Sequence, residues 1–459
     1  MTDSALNFII VGASVSGLAS AIALKSAGHN VLVLEKEPQL GGIGSAKAPN
    51  GSGCAQIPPN GCKILVDWGL EAEINAKSAP CWGFSAYKYA ATEVPGPDHL
   101  GTNRHDPAVL DEARGGYLQF VHRDFVRMLY DLALKSSDKT GTRVSVLFGT
   151  EVVNVDCDAC SVTLRSGEIH TADGVIGADG TKGVVRRTLL KEEGTSRRSG
   201  DDPGVALYHA TVPKALVTVW VGSNRGLKTF VVGKENDISL FLYTPDTCPE
   251  SAWTREAEIK ITDVLGPCDE RIRKLAELTG PATCIQHEHS QLESWVSESG
   301  RVLVLGDAAH PLPPGASQAY AAALEDAAFI GKIFSHTKSP SRVPEFLRAF
   351  QEHRKSRVSF IRQIEDEYLY HILLPDGDTQ EQRDAFVRAR HAAGHNVFEG
   401  EMEQMMEDIR IMFSYNATDD ADEWWMTWGR YRDAAELSPV IFSNSGTLFD
   451  GEQDAKRQD

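Results

Sequence analysis

The sequence predicts an α/β fold: a Rossmann-like, mixed parallel-sheet domain that carries an inserted antiparallel β-sheet domain and ends in a helical C-terminal region. Three observations predict it. A strand, a small-residue turn, a helix and a second strand open the chain between Asn7 and Lys36. A buried-strand pattern followed by alanine-rich helix returns at Arg301. Between the two lie short β-rich runs separated by turns, as in an antiparallel sheet.

In the opening unit, Phe8 to Val11 form a continuous apolar run, the pattern of a strand buried on both faces. Gly12-Ala13-Ser14-Val15-Ser16-Gly17 make the turn, Leu18 to Ala27 a helix stopped by Gly28, and Val31 to Leu34 a strand ending at Glu35 and Lys36. A helix rising straight from a strand points unpaired N–H groups at the turn, which suits a pyrophosphate. Glu35, 23 residues past Gly12, stands where a carboxylate accepts from adenosine ribose hydroxyls. Ser14 replaces the central glycine of the G-x-G-x-x-G pattern; it is small and can itself donate to phosphate.

A length of 459 residues favours two or more subdomains. The net charge of -18 argues against nucleic acid as a partner. Eight cysteines in so long a chain are no disulfide framework, so a reducing, cytoplasmic setting is expected. No apolar run reaches the length of a membrane span, and Phe8 to Leu24 lacks the basic leader of a signal sequence.

Along the chain, Lys36 to Pro59 reads as a loop with nine Gly and Pro among its 24 residues. Helix is expected over Asn60–Leu70, strands within Cys81–His105, and helix over Asp124–Leu134 behind His122 and Arg123. Arg143–Phe148 and Val152–Val155 read as strands, followed by a hairpin at Ser166-Gly167-Glu168. Val175-Ile176 read as a strand entering the turn Gly177-Ala178-Asp179-Gly180. After a charged connection, Glu192–Pro203, come β-runs at Val205–Thr211, Val217–Val221, Thr229–Gly233 and Ile238–Tyr243. Thr254–Thr279 looks helical, interrupted at Gly266-Pro267. Val302–Leu305 form a strand entering Gly306-Asp307, and helices are expected at Ala319–Ile333 and from Pro344 to Tyr370. In the last of these Arg354, Lys355 and Arg357 read as a solvated face. Trp424, Trp425 and Trp428 read as helix packing.

Asp307 at a strand's carboxyl edge lies where open α/β sheets bind ligands, and the helix after Gln318 aims its N–H groups at the same crevice. With these residues in view the chain resembles the flavin-dependent aromatic hydroxylases, in particular salicylate hydroxylase-like single-component monooxygenases. Three motifs carry the resemblance over residues 5 to 370. They are the opening unit with Glu35; Asp179-Gly180-Thr181-Lys182-Gly183-Val184-Val185-Arg186, with glycine where the family has serine; and Gly306-Asp307-Ala308-Ala309-His310-Pro311, continuing to Pro314, Gln318 and Glu325-Asp326. Ala319 stands where the family has glycine.

The resemblance implies FAD as resident cofactor, NADH or NADPH as transient reductant, and an aromatic small molecule and O2 as substrates, oxygen being transferred from a C4a-hydroperoxyflavin. It implies FAD contacts from Gly12, Ser14, Ser16, Gly17, Glu35, Lys36, Arg123, Asp179, Gly306, Asp307, Pro314, Gln318 and Ala319, with Pro314 as a wall beside the flavin. It divides the chain into FAD-binding segments 1–80, 108–195 and 285–375, substrate segments 81–107 and 196–284, and a helical region 376–459. The antiparallel sheet is then a roof over the flavin, with Tyr208, His209, Trp220, Phe230 and Tyr243 as substrate-wall candidates. His209, Tyr243 and Pro314 are the catalytic candidates, His209 as a base toward a phenol, and each competes with ordinary strand packing. His310 reads as structural. Cys157-Asp158-Ala159-Cys160 lacks a second ligand pair, and His287-Glu288-His289 a third ligand, so no metal site is expected. Epoxidation or ring-altering oxidation of a polyketide or indole metabolite is the enzymatic alternative; a flavin-fold binding protein is the non-catalytic one.

Overall fold

The computed structural model describes residues 5–41, 53–90, 98–135, 141–193, 205–213, 218–234, 237–245, 259–280, 282–286, 291–396 and 403–431. Its centre is a five-stranded parallel sheet in the order Val302–Val304, Gly174–Gly177, Asn7–Val11, Asn30–Leu34 and Val144–Leu147. The first three of these are apolar runs buried on both faces, whereas the edge strand Val144–Leu147 is half exposed. Helix Val15–Ser26 packs against Ala319–Phe334 so closely that a Cβ on Gly331 would stand 2.5 Å from that of Ala23. The hairpin Ser161–Leu164/Ile169–Thr171 extends from strand Val152–Asp156 as a small satellite sheet.

A second, seven-stranded sheet runs Thr283–Gln286, Val205–Pro213, Asp237–Pro245, Arg225–Val232, Thr218–Gly222, Gly83–Lys88 and His99–Arg104. It is antiparallel except where Thr218–Gly222 pairs in parallel with Gly83–Lys88, so the two strands from the 81–107 segment extend the same roof. A three-stranded sheet, Cys54–Ile57, Leu118–Val121 and Ser78–Pro80, stands between the roof and the parallel sheet.

Of the helix expected over 254–279, the described residues 259–279 form two short helices, Ile261–Val264 and Glu270–Glu277, with Gly266 (φ +65°) between them. The second is started by the Asp269 side chain, which accepts from Arg271 N. Helix Val343–Ile372 ends before Pro375, and Asp378–Ala392, Glu403–Ser414 and Ala417–Trp424 follow. Trp424 is buried against Phe346 and Trp425 stacks on His336, whereas Trp428 is 69% exposed among the described residues. Residues 42–52 of the 36–59 loop, 194–203 of the 192–203 connection and His287–His289 lie outside the described residues. Among those described, no helix is long and apolar enough to cross a membrane.

Candidate active site

Four neighbouring parallel strands end at one crevice, and their first residues beyond the sheet are the motif residues. Gly12 N donates to Leu34 O at 2.8 Å. Ser14 precedes helix Val15–Ser26 with extended backbone (φ -86°, ψ -170°), a conformation open to any residue, which is why serine replaces glycine here without strain. Glu35 takes Ala13 N on one carboxylate oxygen (2.7 Å) and Glu37 N on the other (2.9 Å), so it braces the turn while keeping free lone pairs. Lys36 is exposed beside it. Ser16 is buried, and Gly17 opens the helix beside it.

The opening turn and the Gly306-Asp307 segment touch. Gly306 has φ +57°, and a Cβ on it would stand 2.0 Å from Ser16 Oγ. The glycine is therefore required both by conformation and by space. Asp307 beside it is packed around on all sides yet solvent-accessible, the signature of a crevice floor. Burial raises its carboxyl above the ordinary range, with His310 opposing, and among the described residues it accepts no hydrogen bond. Arg123 lies at the entry of helix His122–Leu134, exposed and 3.6 Å from Asp124. Its neighbour His122 lies 2.9 Å from the Tyr320 hydroxyl.

Asp179 explains the glycine at 183. Helix Val184–Glu192 has Gly183 at its N-cap and no cap from that residue's side chain; instead Asp179 accepts from Val185 N at 3.1 Å. A Cβ on Gly183 would lie 2.0 Å from Asp179 Oδ1. Asp179 thus supplies from four residues upstream the cap that serine would supply in place. Burial pushes its carboxyl up to about 6 against the opposing backbone hydrogen bonds, and Oδ1 is left without a partner.

Behind Gly306 lies a charged cluster that the sequence reading placed in solvent. Arg354 is fully buried, donating to Asp326 (2.8 Å) and Glu325 (2.9 Å), and Arg357 donates to Glu325 at 3.0 Å. The expectation of a solvated face at Arg354 and Arg357 is corrected: their spacing turns them inward because Glu325 and Asp326 on the facing helix, both 0% exposed, require cations. Asp326 also accepts from Gly306 N (3.0 Å) and lies 2.6 Å from His310 Nε2, so His310 is structural. Gln318 is buried, its Oε1 taking Asn60 Nδ2 and its backbone N donating to Glu365. Ala319 begins the helix behind it and Pro314 is buried in the loop before it.

The roof has two faces. Tyr208 and Trp220, two of the substrate-wall candidates, pack into a core with Leu227, Ile261, Leu265 and Ile272 on one face. Trp220 is satisfied there by Thr218 Oγ1 at 2.9 Å and by the Arg271 guanidinium 4.4 Å above its ring. Phe230 and Tyr243 lie on the other face, with Leu207 and Phe241, against Cys54 and Val121 of the three-stranded sheet. Gly315, at φ +68°, brings the loop holding Pro314 under them: a Cβ there would stand 2.3 Å from the Tyr243 hydroxyl. His209 lies on the roof strand Val205–Pro213, opposite Phe241 and Thr283; its side chain is outside the described residues. Sequence reasoning missed Lys228 and Gln119, both buried, on the two walls of this space. The signal for them was a charge or amide inside an otherwise apolar strand.

The crevice fits FAD on its own chemistry. Its donor set is a helix N-terminus, hydroxyls at Ser14 and Ser16, and the carboxylates of Glu35 and Asp307, of which the last is open at the crevice floor. Comparison with known proteins agrees. The family described as "FAD binding domain" matches residues 5–364. "FAD-dependent monooxygenase OpS4" of Beauveria bassiana is 26% identical, over 83% of this chain and 88% of the relative. "Hispidin-3-hydroxylase" of Neonothopanus nambi is 27% identical, over 80% and 90%. Among solved structures, a salicylate hydroxylase substrate complex superposes with a TM-score of 0.68 at 19% identity, covering 92% of this chain and 98% of that one.

Proposed function

The chain belongs to the FAD binding domain family, an FAD-dependent monooxygenase by its relatives, and from this we propose that it uses NADH or NADPH and O2 to hydroxylate an aromatic or heteroaromatic small molecule. The observation that carries the reading is Asp307, open at the floor of a crevice shared by the motif residues and lying under an apolar roof. Bound FAD supplies the redox and oxygen-activating chemistry. Glu35 holds the adenosine ribose, and the turn around Ser14 and Ser16 receives the pyrophosphate with the dipole of helix Val15–Ser26 behind it. Asp307 holds the ribityl region, and Gln318 and Ala319 bring a second helix N-terminus to the flavin ring. Pro314 would contact the bound flavin, and Phe230, Phe241 and Tyr243 would help to exclude water from the site. Of the catalytic candidates, Tyr243 is supported by its approach to the Gly315 loop that follows Pro314, and His209 remains a candidate by its strand position alone.

Only one nucleotide-binding β-α-β unit is evident in the sequence, which supports a nicotinamide that visits the flavin crevice without a domain of its own. The names of the relatives, hydroxylases among them, support ring hydroxylation. The test is oxygen consumption by the purified yellow protein with NADH or NADPH while phenols and aromatic acids are screened, with product mass read for one added oxygen. A protein that takes up no FAD, or whose NAD(P)H oxidation no aromatic compound stimulates, ends this reading.

A further inference from the structure

The inner face of the roof carries a cation without a counter-charge in contact. Lys228 is 4% exposed. Its ammonium lies 4.7 Å from the ring centroid of Tyr368 and 5.3 Å from that of Tyr243. Rings attract a cation but leave its N–H donors unused, and among the described residues the ammonium makes no hydrogen bond or ion pair. Glu365 is the nearest charge acting on it, yet that carboxylate is already engaged by Ser317 Oγ (2.5 Å) and Gln318 N (2.9 Å).

Other unmet polar atoms border the same space. The Tyr243 hydroxyl is buried with no partner, and so are both amide atoms of Gln119. Gln119 lies on strand Leu118–Val121, two residues before Val121, so its side chain leaves the strand on the face that packs against the roof. The Gln119 backbone carbonyl accepts from Gly233 N, just past the Lys228 strand, at 3.4 Å. Phe230 and Phe241, edge to face at 5.3 Å, supply the apolar wall. Buried donors are rarely left idle without a reason. An ammonium beside a phenol whose hydroxyl has no partner, on a face lined by flat apolar side chains, answers to one chemistry: an oxyanion on an aromatic ring.

We propose that Lys228 anchors the substrate, its ammonium binding an ionised oxygen of the aromatic ring with the Tyr243 hydroxyl beside it. This rests on the monooxygenase reading above and names the substrate class it takes, a phenolate or an aromatic carboxylate. For a phenol the O–H bond breaks heterolytically, the proton leaves to water and the electron pair stays on oxygen, enriching the ring carbons that oxygen attacks. A carboxylate gains orientation only. Burial pushes Lys228 down to about 8, opposed by Glu365, so it remains a cation at neutral pH; Tyr243 on the neighbouring strand and Tyr368 and Glu365 on the long helix are the titratable groups facing it.

Equilibrium dialysis of the FAD-loaded protein with 4-nitrophenol, with its neutral methyl ether 4-nitroanisole, and with benzoate tests the proposal. The wild type is expected to prefer 4-nitrophenol or benzoate to the ether; the anion that gains marks which oxyanion the site takes. Lys228→Met is expected to weaken the preferred anion by roughly a hundredfold, to leave 4-nitroanisole within about twofold, and to leave FAD content unchanged. Without any variant, 4-nitrophenol bound to the wild type at a pH where the free compound is protonated is expected to show the phenolate band if phenols are taken. A wild type that binds the ether as well as both anions, or a Lys228→Met protein of normal FAD content that keeps its anion affinity, overturns the proposal. Loss of the monooxygenase reading has a separate sign, a wild-type protein that holds no FAD.

Discussion

A lysine ammonium in a protein interior is costly, and at Lys228 the cost has a definite pH window. Its folded pKa of about 8 lies below the ordinary 10.5, so between those values the unfolded chain binds a proton that the folded chain has released. Stability therefore rises with pH across that window, and the penalty is fully present below about 8. Lys228→Met is expected to raise stability at pH 7 by on the order of 3 kcal/mol at most, a gain that shrinks toward pH 10; urea midpoints at the two pH values check it. A residue that weakens the fold while serving a ligand is the pattern of a functional site. Asp179 has the same character with opposite charge. Its folded pKa of about 6 stands above the ordinary 3.8, so its relative contribution is complete below about 4 and is lost as pH rises through 6. Asp179→Asn keeps an acceptor for Val185 N and is expected to stabilise the protein at pH 7 by on the order of 1–2 kcal/mol, with no gain at pH 4. In a Gly183→Ser background the serine Cβ takes the carboxylate's place and its hydroxyl caps the helix. The Asp179→Asn gain should then vanish, and its persistence would show that the carboxylate had not been displaced.

Among the elements, helix Val343–Ile372 departs most from its sequence reading. Arg354 and Arg357 recur at helical spacing within a polar stretch, and such a pattern ordinarily faces water. Their partners Glu325 and Asp326 sit some thirty residues upstream in an alanine-rich helix, and local periodicity cannot pair two helices. The pairing has a purpose in the site, since Asp326 also fixes Gly306 N and His310. Arg354→Met takes one cation from each of two fully buried carboxylates, leaving Glu325 to Arg357 and Asp326 to His310, and is expected to cost about 3–5 kcal/mol, read from urea denaturation, with FAD retention falling alongside because the brace on the Gly306 turn is weakened. Burial raises both carboxyls, but Arg357 and Arg354 for Glu325, and His310 and Arg354 for Asp326, hold them below the usual range. This contribution is thus present at neutral pH and is lost as pH falls below that range. The roof strands show a different limit of pattern reading. Leu207 and Tyr208, or Phe241 and Leu242, are apolar on successive residues because both faces are buried, so period-two alternation carries no sign of which face meets the crevice.

At the scale of the whole molecule, the parallel sheet was legible because strands covered by helices on both sides must be apolar throughout, and because the turns after them hold residues with a steric reason to be there. Gly306 against Ser16 is the clearest of these. What no single stretch could show is that the crevice is assembled from segments hundreds of residues apart, the opening turn, the Asp179 turn and the Gly306-Asp307 turn meeting along one sheet edge. A ligand spanning such an edge ties distant parts of the chain together, and its binding free energy adds to the folding free energy by mass action. At free FAD about a hundredfold above its dissociation constant this amounts to about 2.7 kcal/mol, a rise in melting temperature of roughly 2–4 °C for a chain of this size or somewhat smaller. Removing FAD should abolish that rise and adding it back should restore it. Asp307→Ala gives the sharper form of the experiment. The substituted side chain accepts no hydrogen bond among the described residues, and its burial as a carboxylate is unfavourable, so the FAD-free variant is expected to melt no lower than the FAD-free wild type. With FAD present it should fail to gain those degrees and should purify with little flavin. A variant that melts lower without FAD yet keeps the full FAD-dependent rise would mean that Asp307 serves the fold and that the cofactor lies elsewhere along the edge.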